Sequence, residues 1–287
     1  MSRLETWVIL IAVGFATLVA AGCSRQPSSG TGVVPETAAA STIEVLVPCG
    51  QVGPFSEIVK LFEQANPGLK VEWVPENIVT ITTKLLDGKA QPDLFLSMGD
   101  LEMDQVEQAG LVSEGTRTEY AENSLAIMVP AKNPAGVHTI DDLAKPSVKT
   151  ITIPDPQHNS VGKHAQEALQ RAALWQKVEK KLFFARFAAD SKTAAAKGQA
   201  EASIGYYPCG VEVHVEGQEP AKPKNLKLVS QIPSDLYQPF GCEGAVLKNA
   251  KNPEGAKKLL AFLMRPESQE IFRKWEFVRE AAASPVN

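Results

Sequence analysis

Read for its apolar pattern, the chain opens with an apolar run from Trp7 to Ala21, passes through a polar stretch, and then settles into alternation. Short Val, Leu and Ile runs are followed by segments whose apolar residues recur three and four apart, the mark of buried strands feeding amphipathic helices. The first such unit, IEVLVPCGQVGPFSEI from Ile43 to Ile58, reads as a strand, a Cys-Gly turn and a helix start, with the helical face continued by Val59, Leu61 and Phe62. The same reading predicts strands at Lys70–Val74, Asp93–Ser97, Ser124–Pro130, Ile151–Pro154, Ser203–Tyr207, Leu226–Ser230 and Gly244–Leu247. Helices are predicted at Ile78–Leu86, Leu101–Ala109, Lys163–Trp175, Ser191–Lys197, Pro253–Met264 and Pro266–Trp275. Alternation of this kind implies an α/β protein with mostly parallel sheets flanked by helices. In such proteins the strand-to-helix loops form the ligand crevice, so the Cys49-Gly50 turn, with Pro54 in the first helical turn, is expected to be one wall of a binding site.

The N-terminal run changes the picture of where the protein works. Arg3, the apolar segment and AAGC at Ala20–Cys23 read as a lipoprotein signal over residues 1–22, cleaved before Cys23 and lipidated there, although Ala20 stands where such signals usually have Leu. A transmembrane anchor fits less well, because Glu5 and Thr6 interrupt the run and it is short for a span of ~20 residues. Residues 23–42, rich in Ser, Gly, Pro, Thr and Ala, are expected to be a flexible tether. A membrane-anchored protein of the periplasm or cell surface follows, with a folded body of about 245 residues, enough for two lobes. The net charge of −4 with interspersed signs gives no basic stripe for nucleic acid, and no second apolar run suggests a pore. With Cys23 lipidated, three of the four cysteines remain, Cys49, Cys209 and Cys242, an odd number in an exported chain.

Four segments carry a resemblance: QPDLFLSMGDLEMDQVEQAGLV (Gln91–Val112), YAENSLAIMVPAKNP (Tyr120–Pro134), IPDPQHNSVGKHAQEALQRAALWQKVEKKL (Ile153–Leu182) and AVLKNAKNPEGAKKLLAFLMRPESQEIFRKWEF (Ala245–Phe277). In this order and spacing the body resembles the molybdate-binding proteins, the substrate-binding components of ABC importers. The resemblance implies a two-lobed fold, lobe I from 43–124 plus 240–287 and lobe II from 125–239, with crossovers near Leu125–Pro130 and Ile232–Gly244 and lobes that hinge shut on a ligand. It implies an ABC permease and ATPase as partners, a monomer, no enzyme activity and no catalytic cofactor. Carried over residue by residue, one family serine falls on Gly50 beside Cys49, and a second falls near Val79 with Thr80 adjacent. Three contacts on the other lobe fall on Val161, Ala188 and Tyr206, the first two acting through backbone N–H. A family aspartate has become Cys209, and a family tyrosine has become Cys242.

Three departures that are all cysteines, each beside a glycine, suggest a ligand other than plain molybdate or tungstate. Cys49, Cys209 and Cys242 would make a three-thiolate site for a soft metal or metalloid such as Cu(I), Zn(II) or As(III). Small buried hydrophobes, or a disulfide between two of them, are the bland alternatives. His158 in the DPQHNSVG turn reads as structural, His214 as a solvated strand residue and His164 as a surface helix residue; Glu243 is placed to perturb the Cys242 thiol. No phosphate loop, Ser-His-Asp order or HExxH motif supports an enzyme. The expected function is extracytoplasmic capture of a small inorganic ion for an importer. A metal sensor or sequestering protein and a thiol redox protein are the alternatives.

Overall fold

The computed structural model describes residues 41–211 and 225–278; the expected signal peptide, Cys23 and His214 lie outside the described residues. β1 (Ser41–Pro48) buries Ile43, Val45 and Val47 on one side of the pleat, and a 3-10 turn at Cys49–Gln51 leads into α1 (Val52–Ala65). β2 (Leu69–Glu76), α2 (Ile78–Leu86), β3 (Leu94–Leu96), α3 (Asp100–Gln108) and β4 (Thr118–Asn123) follow. β1 pairs in parallel with β2 and β3.

Ser124 alone separates β4 from β5 (Leu125–Pro130), which opens a second sheet. That sheet adds β6 (Ile151–Pro154), α4 (Ser160–Arg171), α5 (Trp175–Val178), β7 (Leu182–Ala185), α6 (Ala188–Ala196), β8 (Ala202–Tyr206), α7 (Tyr207–Val211) and β9 (Leu226–Gln231). The chain returns in β10 (Phe240–Val246) and ends with α8 (Pro253–Leu263) and α9 (Pro266–Lys274). The strand orders are β2-β1-β3-β10-β4 and β7-β6-β8-β5-β9.

Both sheets are mostly parallel, as expected, yet mixed, since in each a single strand runs against the other four. The strands that cross between sheets cause this: β10 returns antiparallel to β3 and β4, and β5 enters antiparallel to β8 and β9. The remaining pairs, β6 with β7 and with β8, are parallel. The two crossovers run side by side, since Ile232 N donates to Leu125 O (2.9 Å) and Leu125 N donates to the Tyr237 hydroxyl (3.3 Å).

β3 and β5 are buried throughout apart from Pro130, and Trp275, Phe55, Phe62 and Phe272 fill the space under the first sheet. Gly53 lets α1 approach the Trp275 ring, because a Cβ there would overlap Cη2 of the indole. α4 begins three residues before its predicted start. Asn159 caps it, accepting from Val161 N at 3.0 Å, and so satisfies one of the free amides of the first turn.

Candidate functional site

A cavity of about 230 Å³ lies between the two sheets. One wall is built at the carboxyl end of β1 and beyond β3, from Pro48, Cys49, Gly50 and Met98 together with Asn77 and Ile78 at the start of α2. The facing wall carries Met128 of β5, Gly205 and Tyr206 of β8, Cys209, and the start of α6 with Ala188, Ala189 and Lys192. Crevices beyond the carboxyl ends of parallel strands are where such sheets hold ligands, because the helix starts there offer unpaired amides.

Three features give this cavity an anion-binding character. No side chain caps the N-terminus of α6, whose first residues line the space. Lys192, four residues after Ala188 and so on the same helix face, supplies a cation; its Nζ donates to Cys209 O at 3.1 Å. Tyr206 is 3% exposed, yet its hydroxyl has no hydrogen-bond partner. Burial, with the Glu102 carboxyl beside it, pushes the Tyr206 phenol well above its ordinary pKa, so it remains a donor.

The cysteines divide into two groups. Cys49 and Cys209 line the cavity, whereas Cys242 faces the interior from β10, fully buried, with Asn123 Nδ2 3.8 Å from its sulfur. All three are free thiols. Burial pushes Cys209 up to about 11 against the pull of Lys192, raises Cys49 against the same cation, and lifts Cys242 well above the ordinary thiol value. The expected three-thiolate set is therefore not gathered. Among the described residues no group of three His, Cys, Asp or Glu side chains is placed to hold a metal.

Of the other residues singled out in the sequence, Gly50, Ala188 and Tyr206 are brought into the cavity. Thr80 lies further along α2, away from the lining. Val161 is fully buried in α4 and its N–H is already taken by Asn159, so it is no ligand in this structure. Glu243 holds Arg117 through both carboxylate oxygens (2.8–3.1 Å), and burial lifts it to about 7 against that partner. Asn77 and Lys192 were not anticipated. Their signals are present: Asn77 is an N-cap before an apolar helix, and Lys192 shares a face with Ala188.

Beside the cavity the two halves are strapped together. The buried Glu102 carboxylate of α3 accepts from Ser160 N (3.0 Å) and from the Ser160 hydroxyl, and Leu101 N donates to Ser160 Oγ (3.0 Å). Asp100 accepts from Lys163 Nζ (2.5 Å) and pairs with His164 Nε2 (2.9 Å). His164 is fully buried, not on the surface as expected. Its ring stacks on Phe240 with centroids 4.2 Å apart and planes 7° apart, and its second nitrogen lies 3.3 Å from Glu167. His158 is exposed.

Residues 43–278 match the family described as bacterial extracellular solute-binding protein. Among individual proteins, the chain is 21% identical over 276 residues to the putative ABC transporter substrate-binding lipoprotein YvgL of Bacillus subtilis, covering 96% of this chain and 99% of that protein. It is 26% identical over 243 residues to the molybdate-binding protein ModA of Rhodobacter capsulatus, with 85% and 90% covered. The fold matches the periplasmic molybdate-binding protein of Azotobacter vinelandii with a TM-score of 0.67 at 16% identity, over 83% of this chain and all of that one. The sulfate-binding protein SubI of Mycobacterium tuberculosis gives the same TM-score at 15% identity, over 83% and 86%.

Proposed function

Because the chain belongs to the family of bacterial extracellular solute-binding proteins, we propose that it captures a small inorganic oxyanion between its lobes and delivers it to the permease and ATPase of an ABC importer. Its work is capture and release, as in its relatives. Export and lipidation at Cys23 would hold it at the membrane beside that permease.

The observation that carries the oxyanion is the buried, unpartnered hydroxyl of Tyr206, a residue that lines the cavity with Cys49 and Gly50. An acceptor oxygen placed there would satisfy it. Lys192 and the uncapped start of α6 add charge and amide donors on the same wall, and the thiols of Cys49 and Cys209, which line the same space, are weak donors. A soft cation fits less well. It would meet the Lys192 ammonium and would need both thiols ionised against their burial.

Calorimetric titration of the reduced full-length protein with molybdate, tungstate, sulfate and phosphate tests the reading. One of these tetrahedral anions is expected to bind with one-to-one stoichiometry and with a dependence on Tyr206 and Lys192. A folded protein that binds none of the four would end the proposal.

A further inference from the structure

The cavity wall is rich in sulfur, with Cys49 and Met98 on one lobe and Cys209 and Met128 on the other. Capture of a hard oxyanion uses amides, hydroxyls and charge, and gives two thioethers and two thiols little to do. The two thiols line the same cavity, one from each lobe. A Cβ on Gly50, the neighbour of Cys49, would lie 3.1 Å from Cys209 Sγ and 3.1 Å from Met98 Cε. Cys49 is exposed at the mouth, open to an incoming solute, and Cys209 lies deeper. Cys242 takes no part, because it does not line the space.

We propose that Cys49 and Cys209 form an interlobe dithiol site for a trivalent thiophilic oxyacid, the class of which arsenous acid is the simplest member. The proposal rests on the reading of this cleft as the solute site, and replaces the hard oxyanion by a soft, uncharged oxyacid. Such an acid is an uncharged trihydroxide at neutral pH. Each thiol displaces one hydroxyl: two S–H bonds and two element–oxygen bonds break, two element–sulfur bonds form, and two waters leave. The element stays trivalent and no net proton is released. Neutral thiols are therefore the right starting state, and the high value of about 11 at Cys209 is no obstacle to the overall reaction.

This distinguishes the oxyacid from Cu(I) or Zn(II), which bind thiolates and release their protons. Met98 and Met128 complete a polarisable, apolar surround suited to a heavy, soft element. The one hydroxyl that remains on the element offers the Tyr206 hydroxyl a partner. Because one sulfur comes from each lobe, the bonded solute also ties the lobes together.

The test uses the full chain carrying Cys23→Ser, reduced with a phosphine, and sodium arsenite as the probe. Intact mass spectrometry is expected to show a single adduct equal to the trihydroxide less two waters, with a higher thermal midpoint. Cys49→Ser and Cys209→Ser are each expected to weaken binding on the order of a hundredfold, the loss of one arm of a two-armed ligand, while Cys242→Ala keeps it. Molybdate is titrated into the same proteins. Molybdate binding without an arsenite adduct overturns the dithiol site and leaves the oxyanion reading standing. An adduct dependent on Cys49 and Cys209, in a protein that binds none of the tetrahedral anions, supports the dithiol site and ends the other reading. An adduct that survives both serine variants, or that is lost only with Cys242→Ala, also overturns the proposal.

Discussion

A buried hydroxyl without a partner costs on the order of 1–3 kcal/mol, a loss that Tyr206 would recover on the proposed reading when a solute oxygen reaches it. Tyr206→Phe is accordingly expected to move two measurements in opposite directions. The ligand-free protein melts at the same temperature or higher, while the solute binds about 2 kcal/mol more weakly, roughly thirtyfold. A variant that loses stability and keeps its affinity would show that the hydroxyl serves the fold. Lys192→Met keeps the apolar stem and removes the charge, and is expected to weaken a divalent anion by roughly tenfold and to flatten the dependence of affinity on salt. Tyr206 could be placed from the sequence because a contact of the molybdate-binding family that the chain resembles falls on it. Lys192 could be placed only through its i,i+4 relation to Ala188, and the inward face of Cys242 not at all, since its β10 segment is Phe-Gly-Cys-Glu-Gly-Ala-Val.

At the scale of elements, legibility followed local signals. β3 and β5 are continuous apolar runs and β1 is interrupted in its apolar stretch by Glu44 alone, and all three lie within two residues of their expected bounds. β4, reading Thr-Glu-Tyr-Ala-Glu-Asn, and the first half of β10 were not, because their sequences resist the strand and their neighbours in the ladder impose it. The strap between α3 and α4 escaped for another reason: its members are polar residues scattered over two helices, and only the packing of His164 on Phe240 aligns them. The strap makes a pH prediction. Burial would raise Asp100, yet the hydrogen bonds from His164 and Lys163 outweigh it and hold this carboxyl well below the usual range. A carboxyl with a depressed folded pKa contributes stability above its unfolded value of about 3.9, and loses that contribution as the pH falls toward the folded value. The thermal midpoint of the wild type is therefore expected to drop between about pH 5 and pH 3 in part through this group. Asp100→Asn should cost about 1–3 kcal/mol at pH 7 and show a shallower drop over the same interval. Parallel curves for the two proteins would remove Asp100 from the acid transition.

For the molecule as a whole, the alternation of runs gave an α/β body and the four quoted segments gave two lobes. The antiparallel strands at the crossovers were hidden, because direction in a sheet is set by where a strand arrives from and leaves no mark in its composition. Those crossovers determine what the molecule can do. Among the described residues the chain passes between the two sheets through Ser124 and the segment from Ile232 to Pro239, so on the proposed reading the lobes hinge about these connections once the strap between α3 and α4 is released, while the cavity draws its lining from both sides. A solute that touches both walls binds the closed arrangement best, and at a hundredfold excess over its dissociation constant it should stabilise the fold by about 2.7 kcal/mol. Closure itself can be isolated at Gly99. Its backbone is extended, with φ −177°, so alanine meets no strain there, but a Cβ would overlap Ser160 Cβ on the opposite lobe. Gly99→Ala should therefore fold normally, break the contact between Leu101 N and Ser160, and hold the lobes apart. Small-angle scattering is expected to show the wild type contracting when solute is added. The variant should have a larger radius, contract less, and bind the same solute more weakly through faster release. A Gly99→Ala protein whose radius and affinity match the wild type would mean that the lobes need not meet at α3 and α4 for the cleft to hold its solute.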